Sequence, residues 1–140
     1  MSLAEQVAAI PFWYHRVDLG GGVVTPGWAP LNRNAYRLPD AMRGECVLDC
    51  GAWDGYWTFE ALKRGASFVQ AIDDFSDGLG IDVDRASAWK TFDLCASALE
   101  LDPKRFNRME LTVYDVRSLG QRFDRIFCFG LLYHLRHPLY

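Results

Sequence analysis

Short apolar runs alternate with amphipathic stretches along most of this chain. The runs are typical of buried strands, and they comprise residues 46–50, 68–72, 109–114 and 125–129. Residues 56–64 and 85–101 instead space their apolar side chains at the helical period. Strands that alternate with helices predict a mostly parallel sheet joined by right-handed crossovers, which is an α/β fold.

The first third of the chain has a different pattern. Residues 3–10 form a short amphipathic stretch that predicts a helix. Two extended segments, "WYHRVDL" and "VVTPG", flank the glycines at 20–22 and predict a flexible turn. Residues 26–45 read as irregular chain with one short helix. We therefore predict two parts: residues 1–45 as an N-terminal helix, extended turn segment and cap, and residues 46–140 as the core.

Composition narrows the class of protein. A chain of 140 residues, half of them apolar and 14% aromatic, supports one domain with a substantial core. The net charge of −3 argues against a strongly electrostatic nucleic-acid binder. Four cysteines without a CxxC pair predict free thiols in a reducing compartment. The sequence has no signal-peptide pattern and no apolar run of the ~18 residues that a membrane span requires, so we predict a cytoplasmic protein.

The segment 47–55, "VLDCGAWDG", predicts a buried strand, a tight glycine turn and a helix N-terminus, which together form a site for a nucleotide-bearing cofactor. Gly51 lets the backbone turn, and Gly55 lets the following helix pack closely on the strand. Asp49 and Asp54 would repel a pyrophosphate at this turn. They favour a cofactor that is cationic and lacks phosphate, and S-adenosylmethionine meets both conditions.

An acidic pair follows the second predicted strand. Asp73 lies 22 positions after Gly51, a spacing that fits one βαβ unit in which the acid accepts hydrogen bonds from a ribose diol. The alternative is a loop acid that caps the next segment. Asp74 is a weaker candidate, because strand alternation directs it elsewhere.

Four stretches resemble, in order, segments of the class I S-adenosylmethionine-dependent methyltransferases. "VLDCGAWDGYWTFEALKRGA" resembles motif I, "FVQAIDD" the second strand with its acid, "MELTVYDV" the third strand, and "FDRIFCFGLLYHLRHP" the fourth strand and the segment after it. With "WYHRVDLGGGVVTPG" upstream, the pattern is closest to the branch of the tRNA wobble-uridine (uridine-5-oxyacetate) methyltransferases. The resemblance covers roughly residues 12–140.

The resemblance implies several cofactor contacts. Asp49 would anchor the methionine end, or would only pin the glycine turn through backbone N–H groups. Trp53 would form a wall on the methionine side, or would pack on the N-terminal segment. Asp115, at the end of the third strand, would contact the adenine amino group, while Val116 donates a backbone N–H. The predicted cofactor site comprises Asp49, Gly51, Ala52, Trp53, Gly55, Asp73, Asp74, Asp115, Val116 and Phe129.

The segment after the fourth strand is the predicted catalytic region, since ligands lie beyond the carboxyl ends of strands in open α/β sheets. If the acceptor is a hydroxyl group, a base must take its proton, and His134 is the best candidate, with Tyr133 beside it. Alternatively, His134 is structural. His134 and His137 have a spacing that metal ligands can use, but no third ligand follows at a suitable position, and we predict no metal site.

Two regions are predicted to meet the acceptor. His15, in the segment before the core, would contact substrate together with its neighbours, and Arg136 would do so from the segment after the fourth strand. The alternative for the first region is a packing arm with an aromatic anchor.

One departure from the branch bears on the cofactor. The tRNA enzymes of the branch use a carboxylated S-adenosylmethionine, held partly by a lysine in a "WRKGPF"-like segment. This chain has no such segment, and its lysines Lys63, Lys90 and Lys104 lie elsewhere. We therefore expect ordinary S-adenosylmethionine, and a small-molecule hydroxyl as the methyl acceptor. The alternatives are a tRNA wobble-uridine methyltransferase and a non-catalytic S-adenosylmethionine-binding module.

The resemblance also implies a topology. The class I core is a Rossmann-like three-layer α/β/α sheet of seven strands in the order 3-2-1-4-5-7-6. Only four strands can be placed here, so the sheet is predicted to be truncated after the fourth, which would be an edge. "RIFCFGLL" is apolar on both faces and suits an internal strand. We expect a shortened chain, or a homodimer in which a second copy covers that edge.

Overall fold

The chain forms one parallel sheet of four strands in the computed structural model, which describes residues 1–29, 33–76 and 89–139. The strands are β1 (Cys46–Cys50), β2 (Phe68–Asp73), β3 (Phe106–Glu110) and β4 (Arg125–Phe127). Their spatial order is β3-β2-β1-β4, and every neighbouring pair is parallel. The predicted parallel α/β sheet is confirmed, and the strand order agrees with the first four strands of the class I core.

Within the described ranges, three α-helices and three short 3-10 helices accompany the sheet. The α-helices are α1 (Leu3–Ala8), α2 (Tyr56–Lys63) and α3 (Lys90–Ala98), and the 3-10 helices are Arg33–Tyr36, Val113–Leu119 and Leu132–His134. Of the predicted helix 85–101, residues 85–88 lie outside the described ranges. No helix of the described ranges is long and apolar enough to span a membrane.

The two faces of the sheet are covered differently. On one face, Val47 and Val69 pack with Trp57 and Leu62 of α2. On the other face, Leu48, Cys50 and Ile72 pack against half-buried side chains of the segment 111–131 rather than against a long helix. Burial on both faces explains why β1 and β2 read as continuous apolar runs.

The N-terminal segment packs into the core. Trp13 and Val17 share one buried cluster with Phe92 and Cys95 of α3. The glycines at 20–22 all have positive φ and form the predicted turn, across which Asp18 and Val24 make an antiparallel bridge. The division of the chain at residue 45 stays a prediction.

The predicted position of the third strand is wrong. The strand was expected at residues 109–114, but β3 ends at Glu110, and the chain then enters the 3-10 helix Val113–Leu119. The reason is that β3 lies at an edge of the sheet and its side chains are half-exposed or exposed, so it lacks the apolar signature of a buried strand. Asp115 therefore does not end a strand. In addition, β4 is shorter than expected and stops at Phe127.

Candidate functional site

The turn between β1 and α2 is tied to the end of β2. The backbone N–H groups of Gly51 and Ala52 both donate to the carbonyl of Ile72, at 2.9 and 3.1 Å. Gly51 has φ +74°, and Gly55, with φ +88°, caps α2. A Cβ on Gly55 would lie 2.5 Å from the ring of Phe59, so this position requires glycine for space as well as for backbone conformation.

A cavity of about 310 Å³ opens at the carboxyl ends of the strands, beside this turn. Such a position is where ligands bind in open α/β sheets. Its walls come from the N-terminal segment, the turn, the end of β2, the chain after β3 and the chain after β4. They consist of Tyr14, His15, Gly51, Trp53, Ile72, Asp73, Asp74, Ser76, Leu111, Thr112, Val113, Tyr114, Phe129, Gly130, Leu131, His134, Leu135 and Arg136.

Asp73 is held on this wall by two backbone donors. Its Oδ2 accepts from the Trp53 N–H and its Oδ1 from the Phe75 N–H, each at 2.9 Å. Each carboxylate oxygen can accept a second hydrogen bond, so both can still meet hydroxyl donors in the cavity. Burial raises the pKa of Asp73 to about 6, which leaves it ionised at neutral pH. Asp74, also on the wall, accepts from the Ser76 hydroxyl at 2.6 Å.

Asp49 lies beneath the turn rather than on the cavity wall. It is 2% exposed, and its Oδ2 accepts from the Thr58 hydroxyl of α2 at 2.7 Å. Burial raises the pKa of Asp49 to about 7. The carboxylate thus joins strand to helix, a contact that neither sequence-based alternative included, and its predicted role toward the cofactor stays a prediction.

Trp53 packs on the N-terminal segment, as one of the two alternatives holds, and it also lines the cavity, while its predicted place beside the methionine end of the cofactor stays a prediction. Its side chain lines the cavity, and its ring stacks on Tyr14 with the centroids 5.6 Å apart and also contacts Phe12. Trp28 meets the other side of Tyr14 edge to face at 5.5 Å and is 61% exposed. An aromatic wall therefore runs from the turn to the protein surface.

We call residues 12–29 the N-terminal arm. The arm places Tyr14 and His15 on the cavity wall, and both of their backbone N–H groups donate to Oδ2 of Asp54 at 2.7 Å. His15 is 4% exposed and stacks on Tyr56 at 5.6 Å. Burial lowers the pKa of His15 to about 4, so the ring is neutral at physiological pH. Its Nδ1 has no hydrogen-bond partner and lies 3.9 Å from Asp54 Oδ2.

The chain after β3 contributes residues that the sequence-based prediction did not select. Leu111, Thr112, Val113 and Tyr114 line the cavity, because the chain leaves the sheet four residues earlier than expected. The acid predicted to reach adenine, Asp115, is exposed in the 3-10 helix and is not on the wall. Val116 packs beneath the sheet against the Leu48 cluster. The predicted adenine contacts of both residues stay predictions, and their positions do not favour them.

The chain after β4 supplies the remaining wall. Phe129, His134 and Arg136 line the cavity, whereas Tyr133 is 74% exposed and does not, and the roles predicted for these residues stay predictions. The Tyr133 and His134 rings lie 4.0 Å apart. Gly130 was not foreseen; it has φ +69° and lines the cavity where a Cβ would stand 3.8 Å from the Tyr14 hydroxyl.

The predicted site residues thus divide into two sets. The cavity brings together His15, Gly51, Trp53, Asp73, Asp74, Phe129, His134 and Arg136. Six others are off its wall, namely Asp49, Ala52, Gly55, Asp115, Val116 and Tyr133. In the part of the chain that the structure describes, no group of three or more His, Cys, Asp or Glu side chains is placed to hold a metal ion.

Sequence comparison places the chain near tRNA-modifying enzymes. No family model matches it. The tRNA U34 carboxymethyltransferase of Campylobacter jejuni strain RM1221 is 30% identical over 95 residues, and that of C. jejuni subsp. doylei is 28% identical over the same length. Each match covers 68% of this chain and 28% of the relative. The chain therefore spans less than a third of the length of these relatives.

Solved structures share its fold. The match to EvdMO1 covers 97% of this chain and 30% of the EvdMO1 chain, with a TM-score of 0.66 and 20% identity. SMU.776, a proposed methyltransferase complexed with S-adenosylhomocysteine (SAH), matches 74% of this chain and 27% of its own, with a TM-score of 0.54 and 18% identity. These likenesses confirm the Rossmann-like methyltransferase fold predicted from sequence, and the names of the sequence relatives agree with the predicted branch.

Proposed function

We propose that this chain carries the cofactor-binding part of a methyltransferase that uses S-adenosylmethionine. The observation that carries the proposal is the acidic cavity wall at the ends of β1 and β2. Asp73 stands there beside the Gly51 turn, at the position where a ribose diol would meet it. The SAH complex of SMU.776, which has the same fold, supports this assignment.

The cofactor would supply a methyl group on a positively charged sulfur, and the walls suit that charge. Asp73 and Asp74 carry negative charge into the cavity, and the Trp53 ring offers a π face to a cation. In-line transfer to an acceptor needs mainly close positioning of the two partners. The arm and the chain after β4 both line the cavity and would provide that positioning.

We propose a small-molecule hydroxyl as the acceptor, with His134 as the base that takes its proton. His134 lies on the cavity wall after β4, which supports a role close to the transferring methyl. A base in that position contributes ~10²–10⁴-fold to rate. Arg136 and His15, which both line the cavity, would contact the acceptor.

A tRNA wobble uridine is the second candidate acceptor. Two observations favour it: the curated relatives are named tRNA U34 carboxymethyltransferases, and the exposed Trp28 extends the aromatic wall to the surface, where a base could stack. A non-catalytic binding module is the third candidate. A cytoplasmic location and a homodimer remain predictions from the sequence.

Titration calorimetry tests the cofactor assignment. We expect S-adenosylmethionine and SAH to bind, and a nicotinamide dinucleotide to give no heat, because Trp53 stands where the G-x-G-x-x-G fingerprint needs its second glycine for the backbone to approach a pyrophosphate. A protein that bound the dinucleotide in preference would overturn the proposal.

Single-turnover methyl transfer tests His134 once an acceptor is found. In His134→Ala we expect the rate to fall by ~10²–10⁴-fold while SAH affinity changes little, because the base acts on the acceptor. His137→Ala is the matched control, since His137 is three residues away and does not line the cavity. Full activity in His134→Ala would assign this histidine a structural role.

A further inference from the structure

We propose that Asp54 is a positioning residue that fastens the N-terminal arm to the glycine turn and to α3, and thereby holds Tyr14 and His15 on the cavity wall. Asp54 itself does not line the cavity, so it would act through the arm. The effect on ligand binding rests on the proposed function, whereas the fastening of the arm does not.

The carboxylate has an unusual set of partners. Asp54 is completely buried, and its Oδ2 accepts from the backbone N–H groups of Tyr14 and His15, both at 2.7 Å. Its Oδ1 accepts at 2.6 Å from the hydroxyl of Thr91, which is the second residue of α3. A buried charge that is held by oriented donors instead of a cation depends on the geometry of all of them. One side chain thus joins three segments that are about 40 residues apart.

The arm is braced internally, so it is expected to dock or detach as a unit. The Thr25 hydroxyl donates to the His15 carbonyl and accepts from the Val17 N–H, both at 2.7 Å. The Ala29 N–H donates to the Tyr14 carbonyl at 3.0 Å. Within the arm, Tyr14 and His15 direct their N–H groups at Asp54. The loss of that single carboxylate therefore removes two hydrogen bonds at the point where the arm reaches the cavity.

Trp53 and Asp54, two consecutive residues of the turn, bond to different parts of the protein. The Trp53 N–H donates to Asp73, the predicted ribose acid, and the Asp54 carboxylate receives the arm. Through this dipeptide, the cofactor side of the cavity and the arm side share one piece of backbone. Release of the arm is therefore expected to disturb the turn that meets the cofactor, as well as the stack of Tyr14 on Trp53.

Amide hydrogen exchange followed by NMR tests the fastening in the ligand-free protein. In Asp54→Ala we expect the protection of the Tyr14 and His15 amides to fall by about 10- to 100-fold, the loss expected for hydrogen bonds to a charged acceptor. Asp54→Asn should restore most of the protection, because its amide oxygen can accept from the arm while its NH₂ group donates to Thr91. Thr91→Val, which removes only the bond to α3, should leave both amides protected.

Calorimetry with SAH follows on the same variants. We expect Asp54→Ala to weaken SAH binding by about 10-fold or more, and Asp54→Asn to bind nearly as well as the wild type. If the wild type does not bind SAH, the proposed function fails, and the exchange data still decide the fastening. Unchanged protection of both amides in a folded Asp54→Ala protein would overturn the inference.

A second measurement decides the matter if Asp54→Ala does not fold. In the wild type, exchange at increasing denaturant should show the Tyr14 and His15 amides opening together with those of α3, such as Asp93. Exchange of the arm amides through a separate opening at much lower denaturant would show that Asp54 does not join the arm to α3, and would overturn the inference.

Discussion

Three buried carboxylates hold together the segments around the β1–α2 turn. Asp49, Asp54 and Asp73 all lie within or beside the β1–α2 turn, and burial raises the pKa of each of them. Each accepts hydrogen bonds from a different segment: Asp49 from α2, Asp54 from the arm and Asp73 from the turn itself. Three acids of similar burial therefore have separable roles.

Asp73 is predicted to hold the cofactor. Replacing it with alanine removes both oxygens from the cavity wall, and we expect the affinity for SAH to fall by ~1–3 kcal/mol. Asp102→Ala serves as the control, because Asp102 is an exposed acid in the loop before β3 and is off the wall. Calorimetry on both variants gives the comparison; unchanged SAH affinity in Asp73→Ala would refute the ribose assignment.

Asp49 predicts a pH dependence of stability. Its pKa is raised to about 7 in the folded protein, so between about pH 4 and pH 7 the folded state binds more protons than the unfolded state. The free energy of unfolding should therefore fall as the pH rises through that range. Asp49→Asn lacks this loss. As the pH rises, its free energy of unfolding should increase relative to that of the wild type by up to a few kcal/mol, at roughly 1.4 kcal/mol per pH unit.

Urea unfolding of both proteins from pH 4 to 8 measures that difference. Asp102→Asn, which removes an exposed carboxylate, is the control for the change in net charge. A constant difference between the wild type and Asp49→Asn across the range would show that Asp49 is not desolvated in the folded state.

At the scale of elements, the start of α2 is the most constrained point of the fold. Gly55 caps the helix in the left-handed region, and its Cα faces the rings of Phe59 and Phe92, from which an added Cβ would be 2.5 and 2.6 Å away. Gly120, which ends the 3-10 helix Val113–Leu119, also has positive φ but has open space around it. A comparison of substitutions at Gly55 and Gly120 therefore distinguishes the effect of backbone strain from the effect of steric crowding.

Gly55→Ala should lower the free energy of unfolding by about 1–3 kcal/mol more than Gly120→Ala does. Both variants bear the strain of positive φ, but only Gly55→Ala also crowds two aromatic rings. Thermal and urea unfolding measure the two costs side by side. Equal losses would mean that Phe59 and Phe92 move aside without penalty.

The elements that could be predicted accurately from the sequence are those whose pattern is local and whose side chains are buried. β1, its glycine turn and α2 were predicted within one residue, because their pattern is local and both faces of the strand are buried. β3 was misplaced, since an edge strand such as "FNRME" keeps no apolar alternation. The role of Asp54 could not be predicted, because its arm partners lie 39 and 40 residues away and no local pattern marks that contact.

At the scale of the whole molecule, the two edges of the sheet differ. β3 presents charged side chains, Arg108 and Glu110, which discourage pairing with another sheet. β4 is short and pairs only with β1 within the described ranges, and its Ile126 is 59% exposed. The predicted position of the fourth strand at an edge agrees with this arrangement, and β4 is the edge that invites association.

Light scattering over a range of protein concentrations tests that difference. We expect the wild type to associate with increasing concentration, and Ile126→Lys to reduce the association, because a lysine on an edge strand opposes strand pairing. Met109→Lys, at a 40% exposed position on β3, is the matched control and should behave as the wild type does. A wild type that stays monomeric at every concentration would contradict the prediction.

The pairing of β1 with β4 has a consequence for biosynthesis. The Cys46 N–H of β1 donates to Asp124, just before β4, across 78 residues of chain. At about 5–20 residues per second, a ribosome needs roughly 4–16 s to deliver β4 after β1. From the synthesis of β2 until that of β4, the nascent sheet has β2 on one side of β1 and an open edge on the other. The newly made protein is therefore expected to depend on chaperones during translation.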